Sequence, residues 1–158
     1  MDISIRKANK GDYESSLSLF RQVHELHVCE RPDLYRKNST PISEAFFESQ
    51  LNDIKQHIFV ATIGNEIVGV VGMKEEEIIE NSFVKARKVL FINSLCVAQA
   101  QRKKGIGKRL MKYVFDFGSS LKVDSIELGV SEKNPYAIEF YESIGMTTKS
   151  RKMEIVLS

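Results

Sequence analysis

A basic stretch with two glycines is the part of the sequence best suited to bind an anion. It runs from Val97 to Leu110 and contains Arg102-x-x-Gly105-x-Gly107 between an apolar stretch and a helical pattern. The first amides of a helix have no acceptor within the helix, and a helix start favours negative charge. Glycine lets a ligand approach the main chain closely. The pattern predicts a phosphate or pyrophosphate site, although a plain helix-start turn can carry the same glycines.

The stretch does not match two common phosphate-binding loops. A Walker loop requires a glycine where Arg102 stands, and a serine or threonine where Arg109 follows Lys108. The dinucleotide fingerprint requires a third glycine where Leu110 stands. Both motifs are therefore excluded.

The charge distribution agrees with an anion site. Nine basic and no acidic residues lie between Asn81 and Phe115, which leaves 14 basic against 21 acidic residues in the rest of the chain. A concentrated positive region on a negative background favours a local anion site over general binding to polyanions. A solvated basic face is the alternative.

The elements that must position this stretch follow from periodicity and turn residues. We predict strands at Ile3–Lys7, His57–Ile63, Ile67–Met73, Val89–Val97, Ser125–Val130 and Met153–Leu157. We predict helices from a cap at Asp12, over Ser43–Ile54, over Gly105–Phe117 with Gly118 as its end, and from Asn134-Pro135 to Gly145. This order mixes hairpins with crossover helices and predicts a mixed sheet covered by helices.

Length and composition restrict the class of protein. The chain has 158 residues, 42% of them hydrophobic, which predicts one globular domain. No apolar stretch is long enough to cross a membrane, and the start lacks a signal-peptide pattern. Cys29 and Cys96 have no metal-ligand spacing, so we expect no metal site, and unpaired thiols indicate a reducing, cytoplasmic location.

Two motifs together resemble the GNAT superfamily of acetyl-CoA-dependent N-acyltransferases. Arg102-x-x-Gly105-x-Gly107, after a strand that ends in Leu95-Cys96-Val97, resembles its coenzyme A signature. Asn134-x-x-Ala137-x-x-Phe140-Tyr141-Glu142-x-x-Gly145-Met146 is similar to that family's Asn-x-x-Ala…Tyr-Glu-x-x-Gly-Phe segment. The order of elements also agrees. The resemblance implies one GNAT-type domain over residues 1–158, of α/β (α+β) class, with a mixed, mostly antiparallel central sheet flanked by about four helices.

The resemblance also implies a role for each matching residue. Main chain at Leu95 and Val97 would pair with the pantetheine arm as an extra strand, and amides of residues 102–108 would hold the pyrophosphate. Asn134 would hydrogen-bond the arm. The implied acetyl-CoA-binding residues are Leu95, Cys96, Val97, Arg102, Lys103, Lys104, Gly105, Ile106, Gly107, Lys108, Asn134 and Tyr141. One departure from the family pattern is Lys103, at a position where the family commonly has glycine. A residue with a side chain is strained there only if the backbone φ is positive.

The implied reaction is direct attack of a primary amine on the acetyl thioester in a ternary complex. A lysine-like amine has a pKa of about 10.4 and is almost entirely protonated at neutral pH, so a base or a water chain is required.

The family's usual strand carboxylate is absent, because the matching stretch reads Ile92-Asn93-Ser94-Leu95. Asn93 would orient a water, and Glu75, within the acidic run Glu75–Glu80, is the candidate base. His24 and His27, one helical turn apart, are further candidates.

Tyr141 is the candidate acid, because a phenol can give a proton to a departing thiolate. Cys96 would allow a covalent acetyl-cysteine route, but we expect it to be a core thiol.

A catalytically silent acyl-CoA-binding regulatory module is the alternative function. A nucleic-acid patch is disfavoured because the basic segment has no interleaved aromatic residues. The expected acceptor is a small-molecule or peptide amine, and a homodimer is one assembly common in this family.

Overall fold

Five strands form one mixed sheet in the computed structural model, which describes residues 2–158. The strands are β1 (Ile3–Lys7), β2 (Gln56–Ile63), β3 (Glu66–Ile78), β4 (Arg87–Val97) and β5 (Ser125–Leu128). The helices are α1 (Tyr13–Glu30), α2 (Glu44–Asn52), α3 (Ile106–Leu121) and α4 (Pro135–Ser143), and short 3-10 turns cover Lys10–Asp12 and Gln99–Gln101.

The strands lie in chain order across the sheet. The pairs β1–β2, β2–β3 and β3–β4 are antiparallel, and β4–β5 is parallel, joined by the crossover helix α3. Gly64, with φ of +61°, provides the left-handed turn between β2 and β3. The predicted mixed, mostly antiparallel sheet with about four helices is confirmed.

Alternating strand residues build a core on each face of the sheet. Phe59 and Ala61 of β2 pack towards α3, whereas Ile58 and Val60 pack towards α1 and α2. Helix α3 buries Ile106, Leu110, Met111 and Val114, which recur at helical spacing along one side. This packing fixes the start of α3 against the end of β4.

The register between β3 and β4 shifts at Asn93. Gly72 is opposite Ser94 and Met73 is opposite Ile92, so Asn93 is an extra residue, as in a β-bulge. Bulges locally twist a strand and redirect its side chains. The central strand is therefore irregular at the candidate site.

The strand predicted at Met153–Leu157 is not formed. Residues 147–158 have no helix or strand, and Met153, Ile155 and Leu157 are exposed. The alternating pattern is present, but no strand within residues 2–158 pairs with it. This prediction is wrong.

Two boundary predictions are also wrong. Helix α3 continues through Gly118 to Leu121 and ends at Lys122, which has φ of +59°. Gly118 is required by packing, since a Cβ there would lie 2.9 Å from Ile126 Cδ1. Asp12 does not cap α1 with its side chain, because it accepts hydrogen bonds from Arg6 and from the main chain of Asn9.

Candidate active site

The edge of β4 is left open beyond its pairing with β5. The parallel pairing ends at Ile92 and Leu128. Ala98 N donates to Val68 O at 2.8 Å, and opposite residues in an antiparallel pair alternate between bonded and non-bonded. The main-chain groups of Leu95 and Val97 therefore point away from β3, into the gap beside β5.

This gap is part of a cleft of about 930 Å³ bordered by β4, the loop after it, β5, α4 and α1. Most of the residues predicted to bind the cofactor line it: Leu95, Val97, Arg102, Lys103, Gly105, Ile106, Gly107, Lys108, Asn134 and Tyr141. Asn93 lines it as well. The structure thus brings together residues that are far apart in the sequence.

Two of the predicted cofactor residues lie outside this lining. Cys96 is only 2% exposed and packs in the core beneath α1 and α2. Burial raises the pKa of its thiol to about 12, so it is a poor nucleophile. Lys104 lines an adjoining groove with Lys108 and Arg109.

The loop before α3 presents free amides to the cleft. Arg109 N donates to Gly105 O at 3.0 Å, so the amides of Ile106, Gly107 and Lys108 precede the first intrahelical hydrogen bond. Gly105 has φ of +82° and starts the helix without a side-chain cap. These amides and the neighbouring cations can bind an anion.

The loop carries one strained residue. Lys103 has φ of +64°, in the left-handed region, which costs a residue with a side chain about 1–2 kcal/mol. This is the position where the family commonly has glycine. The departure noted in the sequence therefore has a conformational cost.

Asn134 begins α4 and faces the same cleft. Its Oδ1 accepts a hydrogen bond from Ala137 N at 3.2 Å, so the carbonyl oxygen caps the helix. Its amide nitrogen has two donor hydrogens that the cap does not use. Asn134 can therefore both start α4 and donate to a ligand.

Tyr141 lies on α4 within the cleft, edge-on to Phe140 with ring centroids 5.3 Å apart. Burial raises the pKa of its phenol to about 12, with a smaller contribution from Cys96 nearby. Tyr141 is therefore protonated at neutral pH and can donate a hydrogen bond.

A model described as the acetyltransferase (GNAT) family matches residues 20–146. This match covers more than half of the chain. The chain belongs to the GNAT acetyltransferase family. It is accordingly an acyltransferase. Within residues 2–158, no group of three or more His, Cys, Asp or Glu residues is arranged to hold a metal ion.

Solved structures share the fold of this chain. A mutant of the BH1408 protein from Bacillus halodurans is 31% identical, with a TM-score of 0.96 over 98% of this chain and 99% of that one. An aminoglycoside acetyltransferase, meta-AAC0020, from an uncultured soil metagenomic sample, in complex with sisomicin, is 20% identical, with a TM-score of 0.75 over 99% of this chain and 95% of that one. AAC(6')-Iy, in complex with the bisubstrate analog CoA-S-monomethyl-acetylneamine, is 17% identical, with a TM-score of 0.75 over 100% of this chain and 99% of that one. The last two share the fold.

Glu75 does not line the cleft of this GNAT fold. It lies on β3, where Oε2 is 2.7 Å from His57 Nε2, and His57 packs edge-on against Phe117 of α3. The strand β3 is longer than predicted and includes Glu75, Glu76 and Glu77. The structure therefore separates Glu75 from Asn93 and Tyr141.

Helix α1 supplies a residue that the sequence analysis missed. Gln22 Nε2 donates to Val97 O at 2.9 Å, and Gln22 Oε1 accepts from Gln99 N at 3.0 Å. This side chain ties α1 to the end of β4 and to the loop. No local pattern could reveal it, because the partners are more than 70 residues apart.

The same helix places two proton acceptors on the cleft. His27 and Glu30 line it, and the ring of His27 stacks on Tyr35 with centroids 5.1 Å apart. His24, one turn earlier, instead has Nε2 2.7 Å from Arg36 O. The structure thus distinguishes the two histidines that the sequence left equivalent.

No helix within residues 2–158 is both long and apolar enough to cross a membrane.

Proposed function

We propose that this chain transfers the acetyl group of acetyl-CoA to a primary amine by direct attack in a ternary complex. One observation carries the proposal: a strand edge that is open at Leu95 and at the amide of Val97 is followed, after a short loop, by a helix start with free amides. A ligand with an amide-bearing arm and a pyrophosphate matches this order of groups.

The residues present fit acetyl-CoA. The main chain of Leu95 and the amide of Val97 would hydrogen-bond the pantetheine arm, as a strand does, and Asn134 would donate to the same arm. The amides at the start of α3, with Arg102 and Lys108 beside them, would hold the pyrophosphate. Acetyl-CoA supplies the activated acetyl thioester.

His27 is the general base that the geometry favours. His27 and Glu30 contribute an imidazole and a carboxylate to the lining of the cleft, whereas Glu75 lies elsewhere. An amine with pKa of about 10.4 is neutral in roughly one molecule in 2,500 at pH 7, a cost of about 4.6 kcal/mol. His27 would remove the proton of the ammonium, directly or through a water oriented by Asn93.

Tyr141 would stabilise the leaving sulfur. A phenol with a pKa of about 12 keeps its proton and donates a hydrogen bond as negative charge develops on that atom. Cys96 takes no part, because its thiol is buried.

We propose a small cationic amine as the acceptor. Glu30, beside His27 on the cleft, would attract such an amine. The sisomicin complex of one fold relative and the CoA–neamine analog complex of another support an amine of this kind. A peptide amine is the second candidate.

A thermal-shift experiment tests the cofactor site. Saturating acetyl-CoA and CoA should each raise the melting temperature by several degrees, because a ligand at a hundred times its Kd adds about 2.7 kcal/mol. ATP, a polyphosphate without pantetheine, is the control and should give a much smaller shift. No shift with acetyl-CoA and CoA would overturn the proposal.

An amine panel tests the transfer. Release of the CoA thiol is measured with polyamines, aminoglycosides, lysine-like amines and peptide N-termini. Release that depends on a cationic amine supports the proposed acceptor. Binding of acetyl-CoA without thiol release for any amine would instead favour a silent acyl-CoA-binding module.

A further inference from the structure

The two parts of helix α1 differ in burial. Its buried side chains all lie between Tyr13 and Phe20, where α1 packs in the core. Residues 24–30, the last two turns, are half-buried or exposed. These turns place Leu26, His27 and Glu30 on the cleft. The side chains proposed to meet the amine thus lie on the part of α1 that the core holds least.

Gln22 lies just before these last two turns and is bonded to the main chain of β4 and of the loop after it. Its Nε2 donates to Val97 O at 2.9 Å, and its Oε1 accepts from Gln99 N at 3.0 Å. In a parallel pair of strands, one residue donates to the carbonyl before its opposite residue and accepts from the amide after it. The carboxamide of Gln22 makes the same two bonds around Ala98, so it takes the place of a strand residue.

The carboxamide of Gln22 also ends the open edge of β4. The other end of this edge is set by β5, whose pairing stops at Ile92. Between these limits, the main chain of Leu95 and the amide of Val97 face the gap in the sheet. A cofactor arm paired with this edge would therefore share Val97 with Gln22, the arm at its amide and Gln22 at its carbonyl.

Other contacts of the last two turns run to the connection between α1 and α2. His24 Nε2 is 2.7 Å from Arg36 O, and the ring of His27 stacks on Tyr35. Both partners lie in an exposed stretch, residues 32–40. These contacts join α1 to the surface of the molecule, whereas Gln22 joins it to the strand that carries the cofactor edge.

We propose that Gln22 is a positioning residue for acyl transfer, which holds His27 at a fixed distance from the acetyl group bound along β4. Because both of its bonds go to the cofactor edge, binding of acetyl-CoA there also steadies the last two turns of α1. This inference rests on the proposed function, which makes β4 the cofactor edge and His27 the base. Displacing a catalytic group by about 1 Å can cost about a hundredfold in rate, so a residue outside the reacting groups can control turnover.

The test uses two variants of Gln22 and a matched control. Gln22→Met keeps the length of the side chain and removes both hydrogen bonds. Gln22→Glu keeps an acceptor for Gln99 N but cannot donate to Val97 O, and it replaces the methionine variant if that variant does not fold. Gln50→Met is the control, because Gln50 is a half-buried glutamine on α2 whose Nε2 donates to Gln56 Oε1 at 3.3 Å, outside the cleft lining.

The first measurement is kcat in a double-mutant cycle with His27→Gln. Gln22→Met should lower kcat about tenfold in the wild-type background, and Gln50→Met should leave it unchanged. In the His27→Gln background, Gln22→Met should lower kcat less than about twofold, because the base that it positions is absent. An equal loss in both backgrounds would overturn the proposal, since a general loosening of the fold acts whether or not His27 is present.

The second measurement is hydrogen exchange, which does not require turnover. Acetyl-CoA should slow the exchange of the amides of residues 26–30 in the wild type and in Gln50→Met, and should leave it unchanged in Gln22→Met. Equal protection in Gln22→Met, at saturating acetyl-CoA, would overturn this inference alone. A wild type with no thermal shift would overturn the proposed function and this inference together. If acetyl-CoA binds but no amine releases the thiol, the proposed transfer and the positioning of His27 for it fail, and the exchange result still decides whether Gln22 links the cofactor edge to α1.

Discussion

The two ends of the cleft are built from different parts of the chain. At the loop end, which comprises Leu95, Val97 and residues 102–108, the binding groups are mainly main-chain amides and carbonyls held by the β4-to-α3 connection. At the α1 end, which comprises Val23, Leu26, His27 and Glu30, the groups are side chains on one face of a helix. Main-chain groups recognise a feature common to many ligands, whereas side chains determine which acceptor binds.

Because of this difference, we expect variants at the two ends to change different measured quantities. Changes at the loop end should alter acetyl-CoA affinity, and changes at the α1 end should alter the amine reaction. Tyr141, between them on α4, should affect turnover alone. The variants below test this division.

His27→Gln should have the largest effect, lowering kcat about a hundredfold at neutral pH, because general bases typically contribute 10²–10⁴-fold. The measurement is kcat at saturating substrates, with acetyl-CoA affinity expected to stay constant.

His24→Gln is the matched control for His27. Both histidines contact Tyr35 from adjacent turns of α1, but His24 interacts with the Arg36 carbonyl and does not line the cleft. It should keep nearly full activity. Equal losses in both variants would mean that packing against Tyr35, and not proton transfer, explains the effect.

Gly107→Val should act at the loop end and weaken acetyl-CoA binding. A Cβ at Gly107 would lie 3.3 Å from Phe140 Cζ, so a larger side chain separates α3 from α4. The displaced start of α3 should misalign the amides that face the pyrophosphate and raise the Kd for acetyl-CoA about thirtyfold, a loss of roughly 2 kcal/mol. Titration by calorimetry measures the change.

The double variant Gly107→Val/Phe140→Leu tests the cause of that loss. A smaller side chain at position 140 should recover part of the affinity, because it removes the atom that Gly107→Val would contact. No recovery would indicate that the valine obstructs the ligand directly.

Tyr141→Phe should lower kcat about tenfold and leave acetyl-CoA affinity nearly unchanged. Because burial raises the phenol pKa to about 12, the phenol stays protonated as the pH increases. The ratio of wild-type to variant kcat should therefore stay constant through pH 10, where an ordinary phenol with pKa near 10 is half ionised.

Tyr136→Phe removes a phenol from the same cleft at an exposed position, where the side chain is 84% accessible. It should leave kcat unchanged. A tenfold loss in this control as well would remove the specific role of Tyr141.

The loop end could be predicted from the sequence because its signals are local. A strand, two glycines and a helix start lie within a few residues, and main-chain geometry follows from that order. The α1 end depends on tertiary packing. Gln22 reaches the end of β4, and His27 reaches the cleft, only because α1 packs against β4. The sequence made Glu75 the candidate base, but β3 places it beside His57.

The wrong predictions about the fold have the same physical origin. Glycine often ends a helix, but Gly118 lies within α3, where it leaves room for the side chain of Ile126 on β5. Aspartate is a common helix-capping residue, but the carboxylate of Asp12 is paired with Arg6 on β1. The alternation at residues 153–157 is typical of a strand, but a strand forms only on pairing, and within residues 2–158 this segment pairs with no edge of the sheet.

Lys103→Gly should have the smallest effect and tests the loop end most closely. Glycine removes the strain of the left-handed conformation at φ of +64°. It also increases the conformational entropy of the unfolded chain, so the net rise in the free energy of unfolding should be about 0.5 kcal/mol. Loss of one cation beside the bound pyrophosphate should raise the Kd for acetyl-CoA about threefold. Thermal unfolding and calorimetry measure the two effects separately.

Lys122→Gly, at φ of +59° beyond the end of α3 and outside the cleft lining, should give the same gain in stability with no change in Kd. If Lys103→Gly weakened binding as much as Gly107→Val, side-chain charge and not the main chain would hold the anion, and the contrast between the two ends of the cleft would fail.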